Sequence, residues 1–331
     1  MKIVNVRNVN AAFSQGTQIL WQQGVVSQSR AGSVRAAPWP VVTVYTQPRE
    51  RVLFDKHRDA NPFFHLFESL WMLAGMSDGK WLDRFVSDFS KRFAESDGNL
   101  WGAYGRRWRF HFETDQLLSA VNRLRSSSED RRTVIQMWDT NYDLYDPFEL
   151  NEDTDEPFSE PKDIPCNTHI YLRVNEGRLD LTVCCRSNDA IWGAYGANAV
   201  HFSMLQEYLA GRIGVFVGTM YQFSNNFHMY ENTAQKSRKS VLSRDPYLTR
   251  EVKFLSIGDN WEAWDRDLLK FIQEPYGKSF KNRWFLKVAV PMWRCHELWS
   301  SRQRESAMRH VDFIEATDWR MVARQWMERR L

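Results

Sequence analysis

Two runs of alternating apolar and polar residues, His169–Val174 and Arg178–Cys185, flank the short segment Asn175-Glu176-Gly177. Period-two alternation leaves a strand with one apolar face, and a tight Gly-containing connection folds two such strands against each other. The middle of the chain is therefore expected to form a β-hairpin inside a larger sheet. Helical patterns surround it. Pro62–Gly75 has an Asn61 cap, proline in the first turn and a closing glycine. Further helices are expected over Thr114–Arg125 and over Ala199–Ala210, the latter ending at Gly211, with strands at Thr133–Trp138 and Val215–Phe223.

Composition narrows the function classes. With 331 residues, 43% apolar and 14% aromatic, the chain can bury a large core. A net charge of only +3 argues against non-specific nucleic-acid binding, and no apolar run is long enough for a membrane span. A small-molecule partner is expected instead. The four cysteines, Cys166, Cys184, Cys185 and Cys295, do not form a disulfide framework, and the start MKIVNVRNVN lacks a signal-peptide core, so a reduced, cytoplasmic protein is expected. Residues 141–164 hold nine acids against Lys162 alone and read as a solvated surface insertion. From Asp245 the pattern shifts to charged helices punctuated by seven of the 15 tryptophans, placing a domain boundary near Ser243.

Several residues could carry chemistry. Glu68 projects from an apolar helix face, with Phe64, Trp71 and Met72 as its helical neighbours. Such a carboxylate is either paired with an arginine distant in sequence or poised to exchange protons. Cys166 follows Asp163-Ile164-Pro165 and opens a strand; it is either a small core residue or a nucleophile whose thiolate needs a cation or base nearby. The spacing of Cys166, His169, Cys184 and Cys185 lacks a CxxC pair, so no metal is expected. Asp130-Arg131-Arg132 and Arg186-Ser187 stand at strand ends, where guanidinium forks either make salt bridges or bind a phosphate.

Taken in order, Glu68-Ser-Leu-Trp71-Met-Leu-Ala-Gly75, Trp101-Gly-Ala-Tyr104-Gly-Arg-Arg-Trp108, Asp130-Arg-Arg132, Pro165-Cys166, Arg186-Ser-Asn-Asp189 and His228-Met-Tyr230 resemble the thymidylate synthase superfamily, which includes pyrimidine nucleotide hydroxymethylases. The resemblance spans about residues 27–233. It implies an α+β fold with a large mixed β-sheet flanked by helices over residues 1–243, followed by a helical extension over 244–331. It also implies a folate-dependent enzyme without a metal. Cys166 would add to C6 of a pyrimidine nucleoside monophosphate, activating C5 toward the one-carbon unit of 5,10-methylenetetrahydrofolate. A cationic Arg186 nearby would lower its thiol pKa. Glu68 would relay protons to the base, and Tyr104 would assist removal of the C5 proton. Arg30, Arg186 and Ser187 of one subunit, with Arg131 and Arg132 of a second, would bind the phosphate, which implies a homodimer. His228 and Tyr230 would bind the sugar and Asp189 the folate.

Departures from the synthase pattern bear on the product. Synthases place an asparagine eleven residues after the arginine matching Arg186; here that residue is Ala197 and the next is Asn198. Helix phasing favours a one-residue insertion in Gly193-Ala-Tyr-Gly-Ala197 and hence Asn198, whose amide suits uracil better than cytosine. Ser90 stands where synthases carry a folate-flanking tryptophan, Asn167 replaces a common histidine, and the synthase tail that closes over folate is missing from Val322–Leu331. The C-terminal tryptophans would then be scaffolding for a wetter site or a replacement lid. The expectation is 5-hydroxymethylation of dUMP, with thymidylate synthesis or dCMP/CMP hydroxymethylation as alternatives.

Overall fold

A computed structural model describes residues 1–144, 161–238 and 244–331. Most of the acidic segment 141–164 and the boundary near Ser243 lie outside the described residues. Among the described residues, eight strands form one mixed sheet: β1 (Lys2–Val6), β2 (Val25–Ser29), β3 (Gly32–Ala36), β4 (Val41–Tyr45), β5 (Val134–Gln136), β6 (Asn167–Asn175), β7 (Arg178–Asp189) and β8 (Phe216–Tyr230). The main order is β1-β4-β8-β7-β6-β5, with β3 joining the far end of β8 and pairing with β2. β7 and β8 run parallel, as do β1 and β4, and the other pairs are antiparallel.

The hairpin forms as its pattern requires. Asn175 pairs with Arg178, and the two connecting residues, Glu176 at φ 48° and Gly177 at φ 70°, both adopt positive φ. A two-residue turn of that hand matches the twist of the flanking strands. The alternation also holds across the sheet: Val41, Thr43, Tyr45, Leu179, Leu181, Val183 and Met220 are buried, while Val42, Val44, Thr182, Cys184, Tyr221 and Phe223 on the opposite face are only half-buried. Helices cover the first face.

Asn61 caps the helix Pro62–Leu73 by accepting from the Phe63 and Phe64 amides, and Gly75 follows it at φ 77°. The helix expected to stop at Gly211 instead runs Asn198–Ile213 and closes at Gly214, φ 93°. Gly211 is inside the helix for a packing reason: a Cβ there would lie 2.0 Å from the Trp261 ring. β8 runs past Phe223 to Tyr230 because β7 pairs with it as far as Asp189–His228, whereas β5 keeps only three residues of Thr133–Trp138.

Six of the seven C-terminal tryptophans are core, and the half-buried Trp261 packs against it. Trp264, Trp284, Trp293, Trp299, Trp319 and Trp326 are all buried, within the same apolar cluster as the sheet. Trp293 and Trp326 meet Phe67 and Phe63 edge-on, at 5.3 and 5.6 Å between ring centroids. They brace the helix that carries Glu68, and none of them lines the cavity that Glu68 faces. This is scaffolding and not a lid. No helix among the described residues is long and apolar enough to cross a membrane.

Candidate active site

Cys166 stands immediately before β6, and the β6–β7 pairing carries Arg186 alongside it. The Arg186 amide donates to the Cys166 carbonyl at 2.9 Å, and its guanidinium donates to the carbonyls of Pro165 at 2.8 Å and Ile164 at 3.1 Å. The same guanidinium lies 5.6 Å from the centre of the Trp138 ring. A bulge between Asn167 and His169 breaks the ladder next to the cysteine, a distortion that re-aims neighbouring side chains. The buried Cys185 on β7 donates to Asn167 Oδ1 at 2.7 Å.

The Cys166 amide donates to Tyr104 Oη at 3.3 Å, which holds the phenol beside the cysteine. Gly105 allows Tyr104 to approach, since a Cβ there would lie 2.1 Å from the Met72 carbonyl oxygen. Burial pushes the Tyr104 hydroxyl well above its usual range. Burial also raises the Cys166 thiol; Arg186 opposes this, and Asp163 and Asp189 reinforce it. Arg186 thus lowers the thiol pKa as expected, but burial sets the net direction. Desolvation of a thiolate outweighs one cation whose donors already serve backbone carbonyls.

Glu68 and Tyr104 line a cavity of about 240 Å³. One wall is apolar, with Trp71, Met72, Leu82, Phe89 and Phe93; the other is polar, with Asp163, Asn198 and His201. The group facing Glu68 is a histidine and not an arginine: His201 Nε2 lies 2.9 Å from Glu68 Oε2. The contact is not aligned as a hydrogen bond, so both atoms keep unspent hydrogen-bonding capacity, as does His201 Nδ1. Asp163 completes the polar wall. Burial, reinforced by the charge of Glu68, raises its carboxyl to about 6. Gly102 packs against it, where a Cβ would meet the Asp163 carbonyl oxygen at 2.6 Å.

Asn198 follows a stretch, Ala190–Ala197, that is kinked at the non-helical Gly196, and the Asn198 amide reaches back five residues to the Gly193 carbonyl, a π-type bond. A π-turn accommodates one extra residue in a helix. Both Ala197 and Asn198 line the cavity. The Asn198 side chain is held by a relay in which its Nδ2 donates to Asn188 Oδ1 at 3.2 Å and Asn188 Nδ2 donates to Ser224 Oγ at 2.9 Å. Ser90, at the position of the synthase tryptophan, is engaged with Asp83, and Phe89 and Phe93 face the cavity instead.

Asp189 and His228 are register partners on β7 and β8, and the His228 ring meets Tyr230 edge-on at 5.4 Å. Asp189 Oδ1 accepts from the Ile191 and Trp192 amides, whereas Oδ2 is buried and unpartnered. Burial raises this carboxyl. Ser187 lies between Arg186 and Asp189 on β7 and is half-buried. Arg30 occupies the β2–β3 turn, where its charge acts on Tyr230. Arg131 and Arg132 are exposed on the loop before β5, with Arg132 Nη2 3.2 Å from Asp130. Among the described residues of one chain, neither bonds to Cys166, Arg186 or Ser187.

The structure thus gathers Cys166, Tyr104, Glu68, Asn198 and Arg186 and leaves Arg131 and Arg132 apart. It adds two groups that sequence reasoning passed over, His201 and Asp163. Their only signals were local: His201 is one helical turn beyond Asn198, and Asp163 is three residues before the cysteine.

A family model described as thymidylate synthase matches residues 57–278. The chain is 40% identical over 346 aligned positions to a deoxyuridylate hydroxymethyltransferase of Pseudomonas phage M6, covering 100% of this chain and 95% of the relative. It is 35% identical over 204 positions to a deoxyuridylate hydroxymethyltransferase of Bacillus phage SP01, covering 58% of this chain and 49% of that protein. With a glutamate and a tyrosine lining one cavity beside a mixed sheet, a cysteine hydrogen-bonded to that tyrosine, and these matches, the chain belongs to the thymidylate synthase family.

Proposed function

We propose that this enzyme installs a hydroxymethyl group at C5 of dUMP, using 5,10-methylenetetrahydrofolate as co-substrate. The observation that carries the reading is the end-to-end likeness to a phage protein named deoxyuridylate hydroxymethyltransferase, which continues through the helical C-terminal part beyond the family model's limit at residue 278. In this reading residues 1–243 are the catalytic part and 244–331 a brace behind the Glu68 helix.

The residues suit such a pair of substrates. The apolar wall matches a flat aromatic ligand, and the unpartnered Asp189 Oδ2 is an acceptor suited to a pterin N–H. The co-substrate supplies a carbon at the oxidation level of formaldehyde. Cys166 bonds to C6 of the nucleotide, Tyr104 assists loss of the C5 proton, and Glu68 handles protons at the base. His228 and Tyr230 bind the sugar. Arg30, Arg186 and Ser187 hold the phosphate, joined by the partner subunit's Arg131 and Arg132. The half-buried sheet face around Tyr221 and Phe223 supports the homodimer this requires, since such a face is normally covered. The reduced thiols suit the cytoplasm.

Incubation with methylenetetrahydrofolate and either dUMP or dCMP tests the reading. The expected product is 5-hydroxymethyl-dUMP without dihydrofolate. A methylated product with dihydrofolate absorbance refutes it in favour of a synthase, and turnover of dCMP alone refutes the base assignment. Asn198→Asp is expected to shift kcat/KM toward dCMP by at least about tenfold, the size of one good hydrogen-bond reversal. An unchanged ratio in competition assays would mean that Asn198 does not read the base.

A further inference from the structure

The polar wall of the cavity is more than the proposed chemistry has used. Glu68 Oε2 and both nitrogens of His201 are buried with no hydrogen bond inside the protein, and the carboxylate and imidazole face each other at 2.9 Å. The Glu68 and His201 side chains are 13% and 3% exposed. Buried polar atoms are almost always satisfied, so the unspent capacity of Glu68 Oε2 and His201 Nε2, side by side on two residues that line the cavity, marks a place for a polar ligand such as a water molecule. The groups facing this place are all accounted for: Glu68 from the helix Pro62–Leu73, His201 and Asn198 from the helix Asn198–Ile213, Tyr104 from the segment after Gly102, and Asp163 from the loop before Cys166.

We propose that His201, acting with Glu68, holds and deprotonates the water that attacks the one-carbon unit, and so commits the reaction to a hydroxymethyl product. The inference rests on the hydroxymethylase reading given above. In the step concerned, the nucleotide carries Cys166 Sγ on C6 and an exocyclic methylene on C5, conjugated with C4=O. The water oxygen bonds to the methylene carbon, its proton passes to the Glu68–His201 pair, and the π electrons move onto O4. Collapse of that enolate restores C5=C6 and breaks the C6–S bond. Cys166 leaves as thiolate, the pair returns its proton to solvent, and nothing is oxidised or reduced.

The test separates this step from those before it. With dUMP tritiated at C5, tritium release reports thiol addition, one-carbon attachment and loss of the C5 proton, all of which precede water attack. For His201→Ala, formation of 5-hydroxymethyl-dUMP is expected to fall about 100-fold, the usual contribution of a general base. The ratio of tritium released to product formed should rise by a comparable factor, and KM for dUMP should stay within about threefold. His201→Asn, which keeps a polar side chain of similar reach but cannot take up a proton, should behave in the same way and covers the case in which the alanine variant does not fold. A parallel fall in tritium release and product, or unchanged product formation, overturns the role of His201. Wild-type enzyme that makes only methylated product overturns the underlying function instead, so the two failures are distinguishable.

Discussion

Replacement of Cys166 by serine is expected to remove turnover by at least about 10⁴-fold while dUMP still binds, because a hydroxyl is a far weaker nucleophile than a thiolate and the remaining ligands to the nucleotide are untouched. Single-turnover product analysis with equilibrium dialysis of dUMP checks both halves. Retained turnover would mean that the nucleophile is another group, for which the buried Cys185, bonded to Asn167 Oδ1, is a candidate thiol on the neighbouring strand. The raised thiol pKa adds a sign. At neutral pH Cys166 is mostly protonated, so its alkylation by iodoacetamide should accelerate steadily as pH rises from neutrality. A rate already flat at neutral pH would indicate that Arg186 outweighs burial after all.

Loss of Arg107 is expected to have the largest effect on stability. Its guanidinium makes a bidentate pair with Asp143 at 2.6 and 2.9 Å and also donates to the carbonyls of Met137 and Trp101. The Arg107 and Asp143 side chains are only 1% and 0% exposed. Removing one partner of such a pair leaves an uncompensated buried charge, and Arg107→Ala should cost about 3–5 kcal/mol in urea denaturation. Activity should fall with it, because the same guanidinium anchors the Trp101–Trp108 segment from which Tyr104 reaches Cys166. A loss below about 1 kcal/mol would mean that the pair is solvated. Asp143→Asn should recover part of the loss seen for Asp143→Ala, since an amide still accepts one of the two bonds.

How far the site can be read from sequence differs from residue to residue. Asn61, Pro62 and Gly75 delimit a helix by local rules, and that helix forms between those signals. Helix phasing selects Asn198 over Ala197, because an extra residue must displace the apolar stripe, and both residues line the cavity. Gly211 misled for an equally physical reason. A glycine near a helix end is ambiguous between a cap and a close contact, and only the Trp261 ring resolves it. The tryptophans of the last 87 residues were ambiguous in the same way, since an aromatic stripe at helical spacing reads alike whether it packs on a core or over a ligand. Their packing against Phe63 and Phe67 decides for the core.

The sequence by itself determined the hairpin around Glu176-Gly177, the capped helix that carries Glu68, and the order of cysteine, arginine, aspartate and histidine that signals the family. These depend on turn chemistry, periodicity and spacing, all of which act over a few residues. Tertiary structure alone decided that His201 faces Glu68, that Asp163 shares their wall, and that burial raises the Cys166 thiol despite Arg186. Each of these is a matter of which distant groups exclude water from one another. Desolvation and charge coupling act through space, so they appear only when the helix Asn198–Ile213, the helix Pro62–Leu73 and the loop before Cys166 close around a single cavity.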